Sequence, residues 1–296
     1  MESNKLTIKD TSLSFLIGFL LCQIAVVAVT CITTVIYNLC GFNTELFSSF
    51  LNSALGYMII SLGMYLTMLG VFFYFNNKKE NKIISKPKLK KIFLYILVAI
   101  LSFLCLYPII TCVDTLLVKC NAKINVLPYS LTTKNYFISL ISLVIAPAVC
   151  EELLFRGIIF KGLKKHGKVF SIIISSLMFS IYHMAISQTL YPILMGILLA
   201  VIMFYENNIC YCIAVHITNN FLSLTLSYFK ISLIFQHWSY IILAVALVSV
   251  YLIIVLILAI KQNNKTTKTK LEKSENLILC STLAIMTLLW VLVNLM

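Results

Sequence analysis

The sequence predicts an all-α polytopic membrane protein with eight or nine transmembrane helices and a cytoplasmic N-terminus. Two features of the composition support this: 61% of the 296 residues are hydrophobic, and only 11% are charged. Runs of about 20 apolar residues, the length that crosses a bilayer as a helix, recur along the whole chain. Soluble globular proteins of this size do not have such a composition, so we expect a single membrane domain over residues 1–296.

The apolar runs follow one another in order, with short polar connections between them. A polar, lysine-rich loop at 261–276, expected to be cytoplasmic, precedes the final run and sets that run apart from the rest. The sequence alone leaves open whether this last helix belongs to the core. We expect spans at about 12–37, 50–75, 92–113, 136–160, 169–187, 190–205, 209–229, 238–260 and 277–296.

The lysines indicate the orientation of the spans. Loops 76–91, 161–168 and 261–275 carry seven, four and five lysines. The connections at 38–49 and 188–189 carry none. Because short cytoplasmic loops are enriched in lysine and arginine, all three lysine-rich loops are predicted on the cytoplasmic side. With nine spans, the C-terminus would then lie outside.

The net charge of +13 does not indicate a nucleic-acid partner. The lysines cluster in short loops between apolar runs without interleaved aromatic residues, which is typical of a membrane topology signal. We therefore expect the lipid bilayer, and no nucleic acid, as a partner. The lysine-, asparagine- and isoleucine-rich composition, with a single arginine, indicates an AT-rich bacterial genome and hence a bacterial plasma membrane.

One apolar run contains three charged residues, Glu151, Glu152 and Arg156. Each charge near the centre of a membrane helix costs roughly 2.5–3.5 kcal/mol on insertion scales, so such residues usually serve a function. Glu152 and Arg156 are four residues apart and can pair on one helix face. Glu151 lies about 100° round the helix. It lacks that partner, and an unpaired carboxylate in an apolar site suits a general base.

Two further helices contribute polar residues. His183 follows Phe179 by four residues, so the aromatic ring is expected beneath it on the same face. His216 and Asn220 share a face in the same way, whereas Asn219 points elsewhere. At 1.5 Å per residue, Glu151 and His216 lie about 14 Å, and His183 about 21 Å, from the cytoplasmic helix ends. A single buried site open toward the cytoplasm is geometrically reasonable.

These residue types suit hydrolysis of a peptide bond. A carboxylate can take a proton from water, a histidine can polarise that water, and a second histidine with an amide can stabilise the developing oxyanion. The same set can also bind zinc, since two histidines and a glutamate are common catalytic zinc ligands. The zinc ligands would then be Glu151, His183 and His216. No His-Glu-x-x-His motif fixes two ligands on one helix, so no required cofactor is the favoured expectation.

The three motifs, each on its own predicted transmembrane helix and in this order, resemble the CAAX-protease and bacteriocin-processing (CPBP, or Abi) family, whose relatives include the type II CAAX prenyl endopeptidase. The resemblance spans about residues 136–229, which would form the catalytic helix core. The residues that carry it are Glu151, Glu152, Arg156, Phe179, His183, His216 and Asn220.

The resemblance implies an intramembrane endopeptidase and a role for each polar motif residue. Glu151 and His183 would activate the water. His216 and Asn220 would hold the oxyanion. The remaining acid–base pair, Glu152 with Arg156, would brace the site. The family has been described both as metal-dependent and as glutamate-type without metal, so the resemblance does not settle the cofactor.

The substrate and two other function classes stay open. A peptidase of this kind would act on a membrane-associated protein or peptide, in bacteriocin or pheromone maturation, immunity or regulated proteolysis. A non-enzymatic bacteriocin-immunity binder would keep its protection after Glu151→Gln. A proton-coupled transporter would use the same residues as a relay, but the inverted repeats expected of one are not evident in the sequence.

Overall fold

The computed structural model describes residues 6–78, 85–122, 127–230 and 271–295. Across these residues the regular elements are helices and no strand is present, which confirms the all-α prediction for this part of the chain. A short 3₁₀ turn, Ile186–Gln188, precedes the seventh helix. The helices are α1 (Ile8–Leu39), α2 (Thr44–Leu51), α3 (Ala54–Lys78), α4 (Leu89–Lys119), α5 (Thr133–Lys164), α6 (Lys168–Tyr182), α7 (Leu190–Glu206), α8 (Ile209–Tyr228) and α9 (Lys273–Leu295).

Seven of the described helices are long and apolar enough to cross a membrane: α1, α3, α4, α5, α7, α8 and α9. The chain is therefore a multi-pass membrane protein. The predicted span at 169–187 corresponds to α6, which has only 15 residues. At about 22 Å it is shorter than the roughly 30 Å hydrocarbon core. The predicted span at 238–260 lies outside the described residues, so the count of eight or nine stays a prediction.

Polar side chains fix where several of the helices begin and end. At the start of α1, the Asp10 amide donates to Thr7 Oγ1 at 3.2 Å and the Thr7 amide donates to Asp10 Oδ2 at 2.9 Å. This reciprocal capping box satisfies amides that a helix leaves unpaired. Between α7 and α8 the turn is only two residues long. Asn207 takes the left-handed conformation that ends α7, with φ 47°, and Asn208 caps α8.

The fifth helix, α5, is the centre of the bundle and carries the acidic motif. It contacts α1, α3, α6, α7 and α8. Two π-helical segments interrupt its α-helical geometry. Leu140–Ile145 ends just before Pro147, which cannot donate a backbone hydrogen bond, and Phe155–Ile159 contains Arg156. Such wide turns occur frequently at functional sites, and here they flank the motif glutamates on both sides.

Small residues let α6 and α7 approach closely beside the motif. A Cβ placed on Gly196 of α7 would lie 3.1 Å from Cα of Ser176 in α6. Membrane helices lack a hydrophobic driving force between them and rely on such close backbone packing. Gly196 therefore sets the separation of the two helices that supply the second motif and the next span.

The last helix, α9, belongs to the core and is not a separate tail. It packs against α1 and α6, and its Leu279 and Met286 side chains are buried among the residues of the core around α1, α3, α5 and α6. Its first turn is tied to the α5–α6 loop, where Lys165 Nζ lies 3.2 Å from Glu275 Oε1. The long polar connection before α9 thus does not separate this helix from the bundle.

The described parts of the lysine-rich loops meet at one end of the bundle. The N-terminal end of α4, the α5–α6 loop, the α7–α8 turn and the start of α9 lie together there. The contacts are Lys91 Nζ to Glu206 Oε2 at 2.6 Å, Lys164 Nζ to Asn207 Oδ1 at 3.3 Å and Lys165 Nζ to Glu275 Oε1 at 3.2 Å. This shared face is what the lysine pattern requires, while its cytoplasmic location stays a prediction.

Candidate functional site

A fully buried carboxylate, Glu152, joins two of the predicted motifs. Its Oε1 atom accepts a hydrogen bond from Arg156 Nη1 at 3.0 Å and lies 2.9 Å from His216 Nδ1. An ionised carboxylate only accepts, so Nδ1 of His216 carries the proton. Sequence analysis paired Glu152 with Arg156 but did not foresee the bond to His216, which comes from a residue 64 positions away.

Arg156 is also buried, and it connects α5 with α6 and α7. Its Nη2 donates to the backbone carbonyl of Gly196 in α7 at 3.2 Å. Its guanidinium carbon lies 4.6 Å from the centre of the Phe179 ring in α6. A desolvated cation over an aromatic face is stabilised by about 2 kcal/mol. The only arginine of the chain therefore acts as a junction of three helices.

The second glutamate, Glu151, faces His216 from the other side of the imidazole. Glu151 Oε2 lies 3.9 Å from His216 Nε2, too far for a direct hydrogen bond. Its side chain is 12% exposed, whereas that of Glu152 is 0% exposed. The two adjacent glutamates thus have different environments: Glu152 is held by two partners, whereas Glu151 is slightly exposed and lies 3.9 Å from His216.

The second motif brings His183 to the same place through Phe179. The two rings meet edge-on with centroids 5.0 Å apart, as the four-residue spacing predicts, and the Phe179 ring is also 6.0 Å from the His216 ring. His183 Nδ1 lies 2.8 Å from the Phe179 carbonyl oxygen. Because a carbonyl only accepts, Nδ1 carries the proton and Nε2 is the nitrogen available for chemistry.

The third motif contains a polar chain that sequence analysis missed. Tyr191 of α7 hydrogen-bonds to Oδ1 of the buried Asn219, and Asn219 Nδ2 donates to Asn220 Oδ1 at 3.3 Å. Within the described residues, the structure pairs Asn220 with Asn219 and not with His216. Occupation of Oδ1 leaves the NH₂ group of Asn220 free to donate. The signal available in the sequence was the second asparagine itself, which helical spacing placed on another face.

The described residues give no direct support for the candidate zinc site. In the part of the chain that the structure describes, no group of three histidine, cysteine, aspartate or glutamate side chains could hold a metal ion. Glu151 Oε2 and His216 Nε2 are 3.9 Å apart, somewhat more than the roughly 3.3–3.6 Å between two ligand atoms of a tetrahedral zinc with bonds of about 2.0–2.2 Å. Independence of a metal stays a prediction.

One family model matches the segment of the chain that carries the three motifs. Residues 133–222 match the family model described as Rce1-like, type II CAAX prenyl endopeptidase Rce1-like. The matched segment holds every motif residue and runs from the start of α5 into α8, while α1 to α4 and α9 lie outside it. The match confirms the predicted resemblance over this segment and supports a peptidase. Neither a curated protein nor a solved structure matches the chain.

Proposed function

We propose that the protein is an intramembrane endopeptidase that hydrolyses a peptide bond of a membrane-associated protein or peptide. The observation that carries the proposal is the shared carboxylate of Glu152, which holds Arg156 on one side and His216 on the other. This arrangement presents His216 Nε2 to Glu151 at 3.9 Å within a bundle of apolar helices. A buried charge cluster of this cost is typical of a reaction site.

In this proposal Glu151 and His183 activate the water. Glu151 is the glutamate without a fixed partner, so its carboxylate is free to accept a proton from a water molecule. His183 Nε2 orients that water, because its Nδ1 is already committed to the Phe179 carbonyl at 2.8 Å. Proton transfer by a positioned side chain contributes about 10²- to 10⁴-fold to the rate.

His216 and Asn220 stabilise the oxyanion that forms when water adds to the carbonyl carbon. Glu152 on Nδ1 fixes the imidazole orientation. The proton that Glu151 takes from the water passes to Nε2, 3.9 Å away, and the protonated ring donates to the oxyanion. That proton is then transferred to the amine nitrogen of the leaving fragment as the carbon–nitrogen bond breaks.

Asn220 supplies an amide donor, held in orientation by Asn219 through Oδ1 at 3.3 Å. One such donor is worth about 10²- to 10³-fold in kcat. Glu152 and Arg156 are then positioning residues that touch no substrate.

The side of the membrane on which the site opens and the biological role are also part of this proposal. The lysine-rich face is taken as cytoplasmic, so the site would open toward the cytoplasm of a bacterial plasma membrane. Bacteria generally lack prenylated CAAX proteins, so the family description does not name the substrate. Bacteriocin or pheromone maturation, immunity and regulated proteolysis are the candidate roles for a peptide-bond hydrolase at this location.

The test uses native membrane proteins as substrates. Membranes from a host that lacks the gene are mixed with the purified protein, and new N-termini are identified by labelling and mass spectrometry. We expect termini that appear with the unaltered protein and vanish with Glu151→Ala or His183→Ala. Glu45→Ala, which changes an exposed glutamate in α2, is the matched control and should cleave normally.

The outcomes separate the function classes. Identical termini from the unaltered protein and Glu151→Ala would refute the role assigned to Glu151, and the absence of new termini with the unaltered protein would refute the peptidase. If bacteriocin protection is observed and survives Glu151→Gln, a non-enzymatic binder replaces the proposal. Proton uptake by sealed vesicles without any cleavage would instead favour the transporter.

A further inference from the structure

The connection between α6 and α7, residues 183–189, begins with His183 and has a strained backbone. Met184 has a φ of 52°, in the left-handed region that residues with a side chain rarely occupy. Such a conformation persists only where surrounding contacts fix it. At the far end of the connection, Ser180 Oγ donates to the Thr189 carbonyl at 2.7 Å. The near end, beside His183, requires other contacts to its backbone.

Those contacts come from Asn294, in the last turn of α9. Its Oδ1 accepts a hydrogen bond from the Ile186 amide at 2.7 Å, and its Nδ2 donates to the Met184 carbonyl at 3.3 Å. The same Nδ2 donates to the Trp290 carbonyl of its own helix at 2.8 Å. One amide group therefore satisfies a donor and an acceptor of the connection directly after His183.

The helix that carries Asn294 is itself held in place. Leu279 and Met286 are 3% and 0% exposed, within the core that surrounds α1, α5 and α6. The Lys165–Glu275 ion pair fixes the opposite end of α9 at 3.2 Å. Asn294 is thus presented by a packed helix, and its position relative to α6 is determined by the fold.

We propose that Asn294 is a positioning residue that fixes the backbone carrying His183 and, through it, the orientation of the His183 ring. The His183–Phe179 contact holds the ring from the α6 side, and Asn294 holds the chain on the other side. Asn294 lies outside the segment 133–222 that matches the family model. The inference rests on the proposed peptidase function, since it assigns Asn294 to the same site.

Two variants and one control test this role. Asn294→Ala removes both hydrogen bonds to the connection. Asn294→Leu removes them while supplying an apolar side chain of similar size, which the membrane tolerates, so a folding defect of the alanine variant does not decide the matter. Asn276→Ala is the matched control, because it changes an exposed asparagine of the same helix.

Two measurements are made on each folded variant. The first is ring-nitrogen NMR of the histidines, of which the chain has four, with the His183 signals assigned by His183→Gln. The second is kcat and KM on a synthetic peptide that contains the site most abundantly cleaved by the unaltered protein. We expect both Asn294 variants to shift the His183 signals and leave those of His166 in place. We also expect kcat to fall by about 10- to 100-fold with little change in KM.

The control should change neither measurement. Unmoved His183 signals together with an unchanged kcat in folded Asn294→Leu overturn the proposal. If the unaltered protein cleaves no peptide, the proposed function fails, but the NMR comparison still decides whether Asn294 fixes His183. The two failures are therefore distinguishable.

Discussion

Replacement of Glu152 by glutamine removes one buried charge and keeps the size of the side chain. Its partner Arg156 is 1% exposed and would remain charged beside neutral groups, namely the new amide, the Gly196 carbonyl and the Phe179 ring. Breaking a buried ion pair by removing one partner costs about 3–5 kcal/mol, because the other charge is left uncompensated. The ratio of folded to unfolded protein should then fall by about two to four orders of magnitude.

The double variant Glu152→Gln with Arg156→Met removes both charges, so no uncompensated charge remains. Replacing a buried ion pair by neutral residues of similar volume is often close to neutral in stability. We therefore expect the double variant to regain most of the stability that either single variant loses. It should stay inactive, because His216 no longer has a carboxylate on Nδ1.

The assay is denaturing-detergent unfolding in micelles, monitored by circular dichroism, with cleavage measured in parallel. Glu45→Gln is the control, since an exposed change away from any special contact alters stability by no more than about 0.5 kcal/mol. Additive losses in the double variant would show that the two charges do not stabilise each other. A Glu152→Gln protein as stable as the control would refute the reasoning outright.

Three further predictions follow from the site and its surroundings. Tyr191→Phe removes the hydrogen bond that orients Asn219 and hence Asn220, so kcat should fall by about tenfold. An unchanged kcat would contradict the assignment of Asn220 to the oxyanion. Gly196→Ala places a Cβ 3.1 Å from Cα of Ser176 and should lower the thermal unfolding temperature. Gly70→Ala is the control, because a Cβ there has no atom within 4 Å, and it should leave that temperature unchanged. Equal effects of the two changes would contradict the close approach of α6 and α7. Treatment of the active protein with a strong zinc chelator, followed by metal analysis, should leave cleavage intact; loss of activity restored by zinc would overturn the metal-free mechanism.

The short-range part of the site follows from helical spacing. The Glu152–Arg156 pair at 3.0 Å and the Phe179–His183 ring contact at 5.0 Å both join residues four positions apart, which any α-helix brings to one face. The neighbouring Glu151 differs from Glu152 by about 100° of rotation, and this difference alone predicts unlike environments for the two glutamates.

The long-range part does not follow from spacing. His216 reaches Glu152 across 64 positions, and the Ile186 amide reaches Asn294 across 108. The depth estimates brought His216 and Glu151 close to one level, but which nitrogen faces which glutamate depends on helix rotation and tilt. Those are set by packing against neighbours, which periodicity does not contain.

By itself, the sequence determined that this is an all-α membrane protein and that three of its apolar segments contain charged or imidazole side chains. The cost of a charge in hydrocarbon and the period of the helix suffice for that. Only the tertiary structure decided that Glu152 serves Arg156 and His216 at once, and that α9 joins the core and reaches the connection after His183. The physical reason is that a buried polar group is stable only with partners, and partners from other helices exist only once the helices have packed.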